Sequence, residues 1–243
     1  MTTLLLRLSG PMQSWGVHSR YDERDTAFEP SKSGVIGLLC AAAGIARDDM
    51  GRISELAALD MVVRVDREGR LEKDYQTAGG GSWPGLGKYH VIRADGSRSG
   101  PGCVTSNRYY LSDAEFLVAL GGPAHLLKGL HNALADPVWP LYLGRKGYVA
   151  SKPIWLRDGL VGKDPMSALR CYPWEPRSER SVPSQIRLVV ECDPEEGQRR
   201  MDVPICYEQG RRSFAPRYVK NLWFDPAKWL LSAEEVGECT CQD

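Results

Sequence analysis

Between residues 31 and 45 the chain carries a helix that is apolar on nearly every side. Val35, Ile36, Leu38, Leu39, Ala41, Ala42, Ala43 and Ile45 follow a capping serine, Ser31 or Ser33. Such a helix needs protein around it, which calls for a layered fold with a sheet beneath it. Gly34 and Gly37 lower its helix propensity, so a second backbone or a ligand is expected to come close at its N-terminal end.

The flanking segments supply the layers. Residues 4–8 are a short apolar run stopped by Gly10-Pro11, and residues 53–59 are a second helical piece. Met61, Val62, Val63 and Val65 form a strand, which Glu68-Gly69-Arg70 is expected to turn into a hairpin running to Gln76. Residues 75–112 hold eight glycines and few aliphatics, the pattern of an extended arm. A β run over 115–120 then leads through Gly121-Gly122-Pro123 into a helix with Leu126, Leu127, Leu130 and Leu134 on one face. Residues 138–143 read as one more strand. The order is β-α-β, arm, β-α-β, which is the ferredoxin-like or RRM-like pattern. Beyond about residue 155 the chain is strand-rich, with runs at 186–192, 201–207 and 218–224. The expected class is therefore α+β: an RRM-like domain over 1–155 with a thumb at 75–112, and a smaller β-rich lobe over 156–243.

Charge matters through its distribution. Thirty-one Lys and Arg balance thirty-one Asp and Glu over 243 residues, which excludes an indiscriminate polybasic binder. Yet residues 138–157 carry Arg145, Lys146, Lys152 and Arg157 with no acid. Residues 75–112 carry Lys88, Arg93, Arg98 and Arg108 against Asp95 alone. The stretch 225–243 runs the other way, with Asp225, Glu234, Glu235, Glu238 and Asp243 against Lys228. Aromatics accompany both basic segments: Trp83, Tyr89, Tyr109 and Tyr110 in one, Tyr142, Tyr148 and Trp155 in the other. Cations for phosphates among rings for unpaired bases are what single-stranded nucleic acid requires. A solvated charged face over core aromatics has the same composition. Gly144 and Gly147 around Arg145-Lys146 favour the first, since they let a phosphate chain approach the backbone.

Signatures of chemistry are missing. Gly87-Lys88 fails as a phosphate loop because Tyr89 follows it and Ser82 stands where the first glycine belongs. Gly79 and Gly81 complete no dinucleotide fingerprint. Cys239-Thr-Cys241 is a close pair with no second pair to face it, so no metal, and no other cofactor, is expected. Seven scattered cysteines suit reduced thiols. No apolar run reaches the roughly 18 residues of a membrane span, and the first residues lack the pattern of a signal peptide. A cytoplasmic protein without a membrane partner is expected. His125 and His131 read as exposed helix residues, Trp139 and Trp155 as core, and Arg24 as salt-bridged in an acidic neighbourhood. His18 and His90 lie in loops near the basic segments, with no assignable partner.

Four blocks carry a resemblance. Gly10-Pro11-Met12-Gln13-Ser14-Trp15-Gly16 follows the first strand, and Pro30-Ser31-Lys32-Ser33-Gly34-Val35-Ile36-Gly37-Leu38-Leu39 opens the helix. Residues 108–116 then lead into the later strand, and Leu141-Tyr142-Leu143-Gly144-Arg145-Lys146 closes the unit. In that order and spacing, over residues 4–146, the chain resembles the CasD family of subunits of the type I-E Cascade CRISPR complex. It departs from the family's usual Ser-Cys-Pro after Gly-Arg-Lys, having Gly147-Tyr148-Val149.

The resemblance implies an RRM-like body, a protruding thumb and a small C-terminal β lobe. It implies binding of the 5′ handle of CRISPR RNA, capping of the backbone-subunit filament, contact with the large PAM-reading subunit, and engagement of target DNA through the complex. A separate endoribonuclease makes the guide in this branch, so no catalytic residue is expected. The alternative is a metal-independent endoribonuclease with His18 or His90 as base and Lys146 or Lys88 stabilising charge. The expected RNA contacts are Gln13, Trp15, Arg20, Lys32, Ser33, Gly34, Lys88, Arg108, Tyr109, Arg145 and Lys146. For Trp15 a core plug, and for Lys32 a solvated helix start, are equally open.

Overall fold

A computed structural model describes residues 1–17, 22–79, 82–83, 87–88, 91–92, 97, 103–174 and 183–229. The chain opens with β1 (Thr2–Ser9), β2 (Met12–Gln13) and β3 (Glu23–Arg24), then α1 (Lys32–Ala43) and α2 (Met50–Ala57). It continues through β4 (Asp60–Arg67), β5 (Arg70–Gly79), β6 (Ser82–Trp83), β7 (Gly87–Lys88), β8 (Cys103–Ser112) and β9 (Glu115–Gly122). Next come α3 (Ala124–Ala135), β10 (Trp155–Val161) and α4 (Pro165–Cys171). Strands β11 (Ile186–Glu191), β12 (Gln198–Cys206) and β13 (Ser213–Phe224) precede α5 (Pro226–Trp229).

Among the described residues seven strands form one sheet in the order β10-β1-β9-β4-β11-β13-β12, with every described pairing in it antiparallel. The leucines of β1 show why it lies inside. Alternate residues of a strand face opposite sides: Leu4, Leu6 and Leu8 pack on the core that holds α1, α2 and α3, while Leu5 faces the smaller core that holds α4. The strands after residue 155 join this same sheet: β10 at one edge, β11, β13 and β12 beyond β4. Among the described residues the sheet is continuous across that position.

Glu68-Gly69-Arg70 does not close a hairpin. Strand β4 pairs with β9, and the chain runs straight on as β5, which pairs with β8 from Arg70↔Ser112 to Gly79↔Cys103. The two halves follow one another as antiparallel ladders and part between Arg67↔Glu115 and Arg70↔Ser112, where Gly69 (φ 73°) and Asp113 (φ 57°) have left-handed backbones. β1 bends at the same level through Gly10-Pro11, so that β2 pairs with β8. The far half of the ladder thereby leaves the main sheet and forms its own with β2 and β3.

Residues 138–143 are likewise not a strand. Pro137 and Pro140 have no N–H to give a ladder. Instead Val138 N and Trp139 N donate to the carbonyls of Ala42 and Ala41 (3.0 and 3.1 Å), and the carbonyl of Leu143 accepts from Ser14 N (3.0 Å). The segment is a strap across the C-terminal end of α1.

Candidate nucleic-acid interface

Ser31 is the cap of α1, accepting from Gly34 N at 3.3 Å. The glycine that follows has a local cause, because a methyl group on Gly34 would lie 2.8 Å from Cε3 of Trp15. Trp15 is buried and donates from its indole nitrogen to Gln13 Oε1 (3.2 Å). The Gln13 amide in turn donates to the carbonyls of Leu8 and Ala114 (3.1 and 2.8 Å). Lys32 is buried too: its backbone N–H meets Asp202 Oδ2 (2.8 Å) and its ammonium pairs with Glu191 (2.9 Å). Arg217 completes this cluster, with two hydrogen bonds to Asp202 (2.7 and 2.8 Å) and one to Glu191 (3.1 Å). Gln13, Trp15 and Lys32, expected as RNA contacts, are therefore buried with their polar groups satisfied inside the chain.

Gly144 and Arg145 belong to a loop closed by backbone hydrogen bonds. Leu143 N donates to the carbonyl of Tyr148 (2.8 Å), and Tyr148 N to that of Arg145 (2.9 Å). The Arg145 guanidinium lies 5.4 Å from the centre of the Tyr148 ring and donates to the Tyr148 hydroxyl (2.9 Å) and the Arg24 carbonyl (3.0 Å). Arg24 sits beside Arg108 in the β3–β8 pairing and is exposed. It has no ion pair among the described residues, contrary to expectation. Lys146 and Gly147 are the exposed tip of the loop, and open space surrounds Gly147.

Lys146 opens onto a concavity of about 630 Å³ against the exposed side of α1. Gly34 and Gly37 form part of its floor, with Ser33 beside them. Trp139 and Tyr142 of the strap line one wall, Arg47 follows α1, and Tyr207 and Arg212 come from the β12–β13 connection. Trp139 is 47% exposed rather than core. Arg47, Lys146 and Arg212 have no ion-pair partner among the described residues, and no carboxylate lines the concavity. Tyr207 is held by its N–H to the Arg47 carbonyl (3.1 Å) and its hydroxyl to the Ser33 carbonyl (2.5 Å). Burial holds the Tyr207 phenol far above its ordinary value. Burial likewise pushes the Cys40 thiol to about 11, with Asp49 adding to the rise and Arg52 opposing it. Neither accepts a proton as a base near neutral pH.

Arg108 and Tyr109 lie half-buried on β8, Arg108 bonding Ser106 Oγ (3.1 Å) and the Tyr109 carbonyl accepting from Ser14 Oγ (3.3 Å). His131 is half-buried and accepts from the Trp155 indole (3.0 Å). Lys88 belongs to β7, but its side chain lies outside the described residues, as do His18, Arg20, Tyr89, His90, Arg93, Arg98 and the tail with Glu234, Glu235, Glu238, Cys239, Cys241 and Asp243. Sequence reasoning missed Arg47, Tyr207 and Arg212. Arg211-Arg212 next to Phe214 was a readable basic-aromatic cluster; nothing local marks Arg47.

A family model described as a CRISPR-associated protein (Cas5) matches residues 3–220. The CRISPR system Cascade subunit CasD of Escherichia coli (strain K12) is 35% identical over 178 residues, covering 70% of this chain and 76% of that protein. A crystal structure of a Cas protein superposes with a TM-score of 0.71 at 41% identity, covering 95% of this chain and 98% of the other. A chain of a CRISPR RNA-guided surveillance complex gives 0.77 at 34% identity, covering 95% and 93%.

Proposed function

The chain belongs to the CRISPR-associated Cas5 family, and from that premise we propose that it is a non-catalytic Cascade subunit that holds the 5′ handle of the CRISPR RNA and caps the backbone filament. The observation that carries this reading is the concavity beside α1, where Arg47, Lys146 and Arg212, three cations without an ion pair or a lining acid among the described residues, stand with Trp139, Tyr142 and Tyr207. Phosphates meet the cations and unpaired bases meet the rings. Arg24, Arg108 and Arg145 continue the basic surface along β3 and β8. The unit β1-α1-β4-β9-α3-β10 is read as a ferredoxin-like body, and the β5–β8 ladder as the base of a thumb. Contact with the large PAM-reading subunit, and with target DNA through the assembly, follows from the same reading. Burial makes the Cys40 thiol and the Tyr207 phenol weaker acids, which suits binding better than proton transfer.

The test is a salt titration of handle-RNA binding. Lys146→Ala should weaken binding and flatten the slope of log K against log salt by about 0.7, one single-strand phosphate contact. An unchanged slope removes Lys146 as a phosphate contact. Site-specific cleavage of repeat RNA by the purified chain in EDTA would establish the endoribonuclease instead.

A further inference from the structure

Beyond the N-terminus of α1, the loop before the helix and strands β11–β13 enclose a second depression of about 430 Å³. Its charges are stacked in depth. Arg187 donates to Glu29 (2.7 Å) and grips Glu68 with two hydrogen bonds of 2.7 Å each, while Arg200 pairs with the other oxygen of Glu29. Side-chain exposure is 3% for Glu29, 8% for Arg187 and 18% for Arg200, but 50% for Glu68. Both guanidiniums and one carboxylate therefore lie below, and the charged group presented outward is the Glu68 carboxylate. Two large rings stand in the same lining, Phe28 at 56% exposure and Trp223 at 52%. The frame beneath them is fixed: Arg187 also donates to the Phe28 carbonyl and to Asn221 Oδ1 (3.3 Å each).

We infer that this depression receives a basic side chain, arginine or lysine, of a partner protein. Ring faces attract cations electrostatically, and a half-exposed carboxylate adds a charge-assisted hydrogen bond. Glu68 is held by Arg187 before any guest arrives, so little ordering remains to oppose binding. Nucleic acid is the wrong guest. A phosphate here would face Glu68 with both cations already paired, whereas the α1 concavity offers unpaired cations and no acid. The two surfaces thus divide the work between RNA and protein. The inference rests on the reading that the chain acts within a multisubunit complex.

The experiment uses the complex assembled by co-expressing the chain with the other subunits and guide RNA. With the photo-crosslinking residue benzoylphenylalanine in place of Phe28, irradiation should join the chain to a neighbouring protein at a peptide containing Arg or Lys. A crosslink to RNA, or none, overturns the inference. Trp223→Ala and Glu68→Gln should each weaken partner retention at least tenfold while leaving RNA affinity and its salt slope unchanged. Retained partner in both variants, or an equal loss of RNA affinity, also overturns it. A wild-type chain that binds RNA but recruits no protein removes this receptor alone. One that recruits protein but binds no RNA removes the handle reading alone.

Discussion

Gly144 has φ of +94°, and a methyl group added to it would lie 1.8 Å from the Ser14 carbonyl oxygen. Gly144→Ala therefore combines a left-handed backbone with a collision, and should cost at least about 2 kcal/mol, read as a lower midpoint in urea. Lys146→Ala, two residues on at the exposed tip, should leave that midpoint nearly unchanged. Asp202 gives a pH dependence. Burial alone would push its pKa up, but the Arg217 hydrogen bonds and charge, with Lys32 N–H and Arg200, hold it below the ordinary carboxylate value. Its folded value is depressed, so its contribution is full above the unfolded value of about 3.9 and is lost as pH falls through the folded one. Asp202→Asn should lower the melting temperature at pH 7, and the gap from wild type should close as pH drops below 4. The exposed charge of Lys146 was legible from composition because an acid-free basic run needs no fold to be seen. The burial and pairing of Lys32 were not, because its carboxylates arrive from β11 and β12, more than 150 residues away.

Glycines differ by the element that holds them. Where the two ladders part, Gly69 has φ of 73°, and a methyl group there would sit 2.8 Å from Ala114 Cβ and the Ser112 carbonyl. Gly129 lies on the exposed side of α3 with nothing within 4 Å. Gly69→Ala should destabilise by about 1–2 kcal/mol, and Gly129→Ala should stabilise by about 1 kcal/mol, both measurable by urea unfolding. The elements themselves were largely readable. The apolar helix at 32–43, the strand at 186–191 and the leucine face of α3 follow local periodicity. The strap at 138–143 did not, because its alternation imitates a strand while two prolines refuse the ladder. The continuity of β4 with β5 was hidden for a different reason: Glu68-Gly69-Arg70 has turn composition, and only pairing with residues 103–115 decides between a turn and a bend.

One sheet runs through both halves of the chain, and ion pairs tie them: Glu29 with Arg187, Lys32 with Glu191. A fragment ending at residue 161 would bare the edge of β4 and leave Glu29 and Lys32 buried without partners. It should not fold alone, whereas the full chain should unfold in one step by fluorescence and circular dichroism alike. The expected smaller lobe after residue 155 rests on a local change of composition, whereas the sheet that joins both halves was not legible, because hydrogen-bond partners across a sheet leave no mark in composition. The two-part ladder has a mechanical consequence. Its near half, β4 and β9, lies inside the main sheet between β1 and β11, so a pull along the outer half acts as shear on both flanking ladders. The β1–β9 rungs from Thr2↔Gly122 to Ser9↔Glu115 would carry that load together. Tension on the outer half of the ladder is borne by the middle strands of the sheet, not peeled off its edge.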